Sequence, residues 1–189
     1  VVSFARSLIT DPLPEFQECF LGLQSQLSVL GALTSLGQLV AKITAPGIPD
    51  FYQGSELWDL SLVDPDNRRP VDYPLRREIV ERLQSDIRSS RDIAAEVARN
   101  WRDGKIKLFT MMRALAFRRE HQELFIPGGY LAVLAEGSPG RHVVAFARNA
   151  GNEWSLTVVP RFMRGMMDAD SLLISGEVWG DSRLILPVE

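Results

Sequence analysis

The sequence predicts an α+β chain, helical over its first two thirds and antiparallel β over the last third. Two observations set this division. Apolar residues recur at steps of three and four before Phe125, and at Ile126-Pro127-Gly128-Gly129 the period changes to short segments rich in Val, Leu and aromatics. A third observation is size: 189 residues with 46% hydrophobic content can bury one substantial core, or a medium core with a smaller satellite.

From Pro14 to Ile43, Phe16, Phe20, Leu23, Leu27, Leu30, Leu33, Leu36 and Val40 follow helical spacing, and Gly31 predicts a break into two helices. Thr44 to Gly54 holds two prolines and two glycines, which exclude a helix and predict a short extended element opening into a polar loop, Ser55 to Asp72. Tyr73-Pro74 starts another helix, because proline is accepted in a first turn, and Leu75, Ile79, Val80, Leu83 and Ile87 continue its stripe. Further helices are expected over Asp92 to Asn100 and Lys105 to Phe125, with Trp101 to Gly104 as the turn between them. Strands are expected at Tyr130 to Leu134, His142 to Ala147, Trp154 to Val159, Leu172 to Ile174 and Arg183 to Leu186.

Composition narrows the function. A net charge of -3 gives no basic field for phosphate, so nucleic acid is not an expected partner. The apolar run Leu27 to Ile43 is interrupted by Ser28, Thr34, Ser35, Gln38 and Lys42, which lipid disfavours, so it reads as a buried helix and no membrane is expected. One cysteine, Cys19, excludes an internal disulfide and fits a reducing compartment; with no secretion signal in view, the expected location is cytoplasmic.

No metal or organic cofactor is expected. Asp64-Pro65-Asp66-Asn67 opens like a calcium loop, but Arg68 occupies the third ligand position, and the required glycine and distal glutamate are missing. His121 and His142 are too isolated for zinc and read as a helix-end and a strand residue. What stands out is the crowding of Asp50, Tyr52, Gln53, Glu56, Trp58, Asp59, Asp64, Asp66, Asn67, Arg68, Arg69 and Asp72 in one loop. Planar acceptors and forked donors beside an aromatic face bind sugar hydroxyls in this way. A surface loop whose Asp and Arg pair with each other for reasons of folding has the same composition, and the residues alone leave both readings open.

Pro46-Gly47-Ile48-Pro49-Asp50-Phe51-Tyr52-Gln53-Gly54-Ser55-Glu56 resembles the segment ending the last barrel strand of α-amylase-type glycoside hydrolases and transglycosylases. Leu115 to Leu124 is similar to their final barrel helix, and Val143 to Arg148 with Ser155 to Val159 to the first strands of the domain beyond the barrel. Within that superfamily, Leu57-Trp58-Asp59-Leu60-Ser61-Leu62-Val63-Asp64-Pro65-Asp66-Asn67-Arg68-Arg69-Pro70-Val71-Asp72 resembles the maltooligosyl trehalose synthase family in particular. Asp103 to Leu108 and Trp179 to Leu184 extend that likeness.

The resemblance implies a fold: residues 1–126 as the mostly helical C-terminal portion of a (β/α)8 barrel, and 127–189 as an incomplete antiparallel β-sandwich-like domain. The barrel portion would hold its last strand near 44–54, a substrate loop at 55–72 and helices to 125. It also implies an intramolecular transglycosylation of maltooligosaccharides, with no metal or organic cofactor, by nucleophile and acid carboxylates on earlier strands. No catalytic residue carries over to this chain, which is expected to be inactive alone. A substrate-binding role is implied for Tyr52, Gln53, Glu56, Asp64, Asp66, Asn67, Arg68 and Arg69, with the two arginines as anchors. Lys105 and Lys107 are further candidates that a solvated helix start explains equally. Another α-amylase-type enzyme, or a noncatalytic carbohydrate-binding module stacking Trp58, Trp101, Trp154 or Trp179 on sugar, are the alternatives. A barrel portion should also leave apolar surface uncovered, for which a dimer is one expected remedy.

Overall fold

The computed structural model describes residues 1–86, 89–167 and 171–186. Six α-helices precede the sheet: α1 (Val2–Thr10), α2 (Pro14–Thr44), α3 (Tyr73–Ser85), α4 (Ser90–Arg99), α5 (Lys105–Glu120) and α6 (Gln122–Phe125). Four strands follow, β1 (Gly129–Glu136), β2 (Val143–Ala150), β3 (Glu153–Pro160) and β4 (Arg183–Ile185). The expected α+β division near residue 126 therefore appears as a change from helix to strand. Ile87, the last residue of the predicted stripe in α3, lies outside the described residues.

α2 runs unbroken through Gly31, where two helices were expected. A single exposed glycine costs a helix about 1 kcal/mol, and packing on either side outweighs it. Val29 and Ala32 bury against Trp101 and Leu172, while Leu39 and Ile43 bury against Met111 and Phe51. A methyl group at Gly31 would meet nothing within 4 Å. Gly31→Ala should therefore raise stability by about 0.5–1 kcal/mol, read as a higher urea midpoint, because only backbone freedom changes.

Residues 45–54 form no strand, a correction to the extended barrel strand expected there. Thr44 ends α2, Ala45 turns extended ahead of Pro46, and Pro46 and Pro49 cannot donate to a ladder. A parallel strand needs neighbours on its edges, and none among the described residues pairs with this segment. Among the described residues the β part is one four-stranded antiparallel sheet, ordered β3-β2-β1-β4, where a sandwich-like pair of sheets was expected. Gly151-Asn152 makes the tight β2–β3 turn, with Gly151 at φ 57°. Leu172 to Ile174 is not a strand either, since Leu172 is drawn into the cluster around Trp101 and away from the sheet. His121 ends α5, as expected; His142 is the last residue of a short 3-10 turn preceding β2 rather than a strand residue, buried with Nδ1 2.8 Å from the Phe162 carbonyl.

Helices and sheet meet where α2 crosses β3 at the buried Gly37, and two arginines fasten the joint. Arg148, 1% exposed on β2, donates to the carbonyls of Gly129 (2.8 Å), Gly128 (2.7 Å), Phe125 (3.4 Å) and Thr44 (3.4 Å). Arg118 on α5 donates to the carbonyls of Ile43 (2.5 Å), Ala45 (3.3 Å) and Gly47 (2.5 Å). Both cations thus sit at helix C-termini, where unpaired carbonyls carry partial negative charge.

By length and composition α2 could cross a membrane. Its second half instead packs on α5 and β3, while its first half exposes Phe16, Phe20, Leu23 and Leu27. α1 buries nothing and exposes Val2, Phe4 and Ile9, so the N-terminal helices present the uncovered apolar surface expected of the sequence.

Candidate functional site: the loop between α2 and α3

The loop is shaped by its own hydrogen bonds. Asp59 accepts from the Ser61 amide (3.0 Å) and hydroxyl (2.6 Å), and Asp66 accepts from the Leu62 amide (2.7 Å) while pairing with Arg69. Asp66–Arg68 make one 3-10 turn, and Asp72 caps α3 by accepting from the Leu75 amide at 2.9 Å. Trp58 donates Nε1–H to the Trp101 carbonyl (2.6 Å), with its ring edge-on to Trp101. Gly104, at φ 79°, permits the close approach of this segment: a Cβ there would lie 3.0 Å from the Trp58 amide nitrogen.

These contacts enclose a cleft of about 410 Å³ lined by Gln53, Gly54, Trp58, Asp59, Leu60, Ser61, Asp66, Asn67, Arg69, Pro70, Val71, Asp72 and Arg76. Four of the ten sequence candidates, Gln53, Asp66, Asn67 and Arg69, therefore share one concavity. The Asn67 Oδ1 is buried without a partner.

The other candidates go elsewhere. Arg68 lies outside the cleft and donates to Asp64 at 3.0 Å, although it is no more exposed (70%) than Arg69 (71%). Glu56 turns behind the cleft to Arg76, its Oε2 2.7 Å from Nε. Tyr52 is half-exposed, its carbonyl accepting from the Ser55 amide and hydroxyl. Lys105 pairs with Asp103 at 2.9 Å on the surface. Lys107 is half-buried, donates to the Leu57 carbonyl (3.3 Å) and lines a second cleft of about 650 Å³ between α2 and Trp58–Leu60. Trp58, Asp59 and Asp72, members of the crowded loop outside the ten candidates, also line the first cleft, as does Arg76, which the sequence did not single out. For Arg76 the available signal is its place one turn after the Asp72 cap, where a first-turn side chain reaches back over the preceding loop.

The electrostatics suit an acceptor surface. Hydrogen bonds from the Ser61 side chain and amide hold the Asp59 carboxyl below its ordinary 3.8, and the Leu62 amide followed by Arg69 does the same for Asp66. Burial lowers the Lys107 pKa. Both carboxylates thus stay ionised and accept hydrogen bonds instead of donating protons. Among the described residues no group of three or more His, Cys, Asp or Glu side chains could hold a metal ion.

The sign of the pH dependence follows. A carboxyl with a depressed folded pKa contributes stability that is complete above its unfolded value of 3.8 and fades as pH falls through the lower folded values. Acidification from about pH 5 to about pH 2 should loosen this loop. Trp58 fluorescence is expected to change before the helical circular dichroism does; coincident changes would show the loop has no acid sensitivity of its own.

The chain is thus a helical layer joined to a short antiparallel sheet, with a polar cleft in the loop between α2 and α3. The chain resembles one segment of the maltooligosyl trehalose synthases over nearly its whole length. Two Mycobacterium tuberculosis proteins, from strains CDC 1551 and H37Rv, each named "Putative maltooligosyl trehalose synthase", are 42% identical over 127 residues, 67% of this chain and 14% of theirs. The structure of maltooligosyltrehalose synthase from Arthrobacter ramosus superposes with a TM-score of 0.71 at 32% identity, covering 95% of this chain and 20% of that one. A further maltooligosyl trehalose synthase crystal structure gives a TM-score of 0.67 at 27% identity, covering 89% of this chain and 20% of that one. The chain thus spans about one seventh of the length of the curated relatives it matches. No family model matches it.

Proposed function

We propose that this chain supplies one wall of the sugar pocket in a larger maltooligosyl trehalose synthase of the cytoplasm. That enzyme would convert the reducing-end α-1,4 linkage of a maltooligosaccharide into the α,α-1,1 linkage of a terminal trehalose unit. The observation that carries the reading is the convergence of Gln53, Asp66, Asn67 and Arg69 on one cleft beside Trp58, in a chain 42% identical to proteins of that name.

The reaction asks two different things of the protein. A retaining mechanism needs a nucleophile and an acid about 5 Å apart on the scissile bond, and the present carboxylates are not assigned to either role. Asp59 and Asp66 are held ionised by donors within the loop, which suits reception of sugar hydroxyls and not protonation of a leaving oxygen. The second demand is retention: the displaced glucose must stay, turn and be re-used before water attacks. A wall of fixed acceptors and a forked donor contributes hydrogen bonds to that unit, and no metal or organic cofactor enters the scheme.

The test uses a longer polypeptide carrying this segment, supplied with maltohexaose. Reducing ends should disappear without release of glucose or maltose. Steady release of small sugars instead would assign a hydrolase of the α-amylase type, and the 189-residue chain alone should turn nothing over. Saturable binding of maltohexaose by the chain alone, with full fluorescence response and no activity in the longer polypeptide, would favour the noncatalytic binding module.

A further inference from the structure

We propose that Arg76 is a positioning residue for the sugar-binding loop, holding both ends of the loop from the first turn of α3; this rests on the reading of the cleft as a glucan site. Its guanidinium makes three separate attachments. Nη2 donates to the Gly54 carbonyl (2.7 Å) where the loop begins, Nε to Glu56 (2.7 Å), and Nη1 to the Asp72 carbonyl (3.1 Å) where the loop ends. The side chain is 17% exposed and its Glu56 partner 24%, so this ion pair is far better shielded from water than Arg68–Asp64 on the same loop.

The backbone explains why such a clamp is required. Gly54 sits at φ 88°, and a Cβ there would lie 3.2 Å from Val71, so the two ends of the loop are already in contact. The hydrogen bonds around Trp58, Asp59 and Asp66 order the middle of the loop, and closing its two ends on one another fixes where that middle sits. A planar fork with separated donors reaches two carbonyls and a carboxylate on different segments together; the three donors of a lysine ammonium leave a single point and are not spread in that way. Arg76 lines the cleft with three of its five N–H donors engaged inside the protein, whereas Glu56 does not line the cleft at all. Arg76 therefore acts on sugar through the loop, and Glu56 acts through Arg76.

The experiment compares Arg76→Lys, Glu56→Ala and the double variant by two readouts, hydrogen exchange on the 189-residue chain and maltohexaose affinity on a longer polypeptide that carries it. Hydrogen exchange of 55–72 should quicken by about tenfold or more in each single variant, while the amides of β2 and β3 keep their protection. Maltohexaose affinity, followed by tryptophan fluorescence, should fall by a similar factor in both, and the double variant should lose little more than either single one, as expected for residues that act as a unit. Wild-type exchange in Arg76→Lys would overturn the proposal. So would an affinity loss confined to Arg76→Lys with Glu56→Ala unaffected, since that pattern means direct contact. If the unaltered longer polypeptide binds no maltohexaose, the glucan reading fails while the exchange data still decide whether Arg76 orders the loop.

Discussion

Arg148→Met should lower the stability of the chain by about 2–4 kcal/mol, because four carbonyls lose the donors of one buried guanidinium and a buried acceptor left without a donor costs about 1–3 kcal/mol. Arg148 is 1% exposed, and its four acceptors belong to three places: the end of α2 at Thr44, the end of α6 at Phe125, and the Gly128-Gly129 entry to β1. Burial and the neighbouring Arg118 both work against its charge. The carbonyls at two helix ends offset that cost, because their partial charges converge on one guanidinium. Methionine keeps most of the volume and leaves those carbonyls short of donors in a place water reaches poorly. Arg148→Lys should recover less than half the loss, since one ammonium cannot span the three segments. Urea denaturation followed by circular dichroism measures the change. A loss below about 1 kcal/mol would mean that apolar contact between α2 and β3 alone fastens helices to sheet.

That joint shows where sequence reading stops. The helical stripes are local, each set by spacing within a dozen residues, and α3, α4 and α5 lie within a few residues of where periodicity puts them. The same holds for β1, β2 and β3, whose alternation and turns need only adjacent strands. Segments whose state depends on distant partners were misread. Residues 45–54 would be a strand only with edges to pair on, and Leu172 follows the cluster around Trp101 and not its own β propensity. Gly31 is a further case, because packing of Val29 and Ala32 decided the matter over propensity. The arginines that fasten the halves, Arg118 and Arg148, stood inside recognised segments, but a buried arginine satisfied by carbonyls has no sequence signature. In the loop, the concentration of sugar-binding residue types was legible, and their directions were not.

Direction separates the two adjacent arginines, which the sequence treats as equals. Arg68 is the last residue of the Asp66–Arg68 turn, while Arg69 leaves it with extended backbone (φ -64°, ψ 150°), so the two side chains take different directions. Arg69 lines the cleft in contact with Asp66, while Arg68 pairs with Asp64 outside it; the two side chains are equally exposed, 71% and 70%, so placement at the cleft and not burial distinguishes them. In a longer polypeptide carrying this segment, Arg69→Ala should cut kcat/KM on maltohexaose about 10- to 100-fold. Loss of a charge-assisted hydrogen bond costs about 1.5–3 kcal/mol, and each 1.4 kcal/mol is a factor of ten. Arg68→Ala removes a solvent-exposed pair worth at most about 1 kcal/mol to folding, and should change kcat/KM by less than about fivefold. Thermal midpoints of both variants should stay close to that of the parent, which separates lost recognition from lost structure. Equal losses in the two variants would show that the turn presents both side chains to substrate, and an unaffected Arg69→Ala would remove this loop from the sugar pocket.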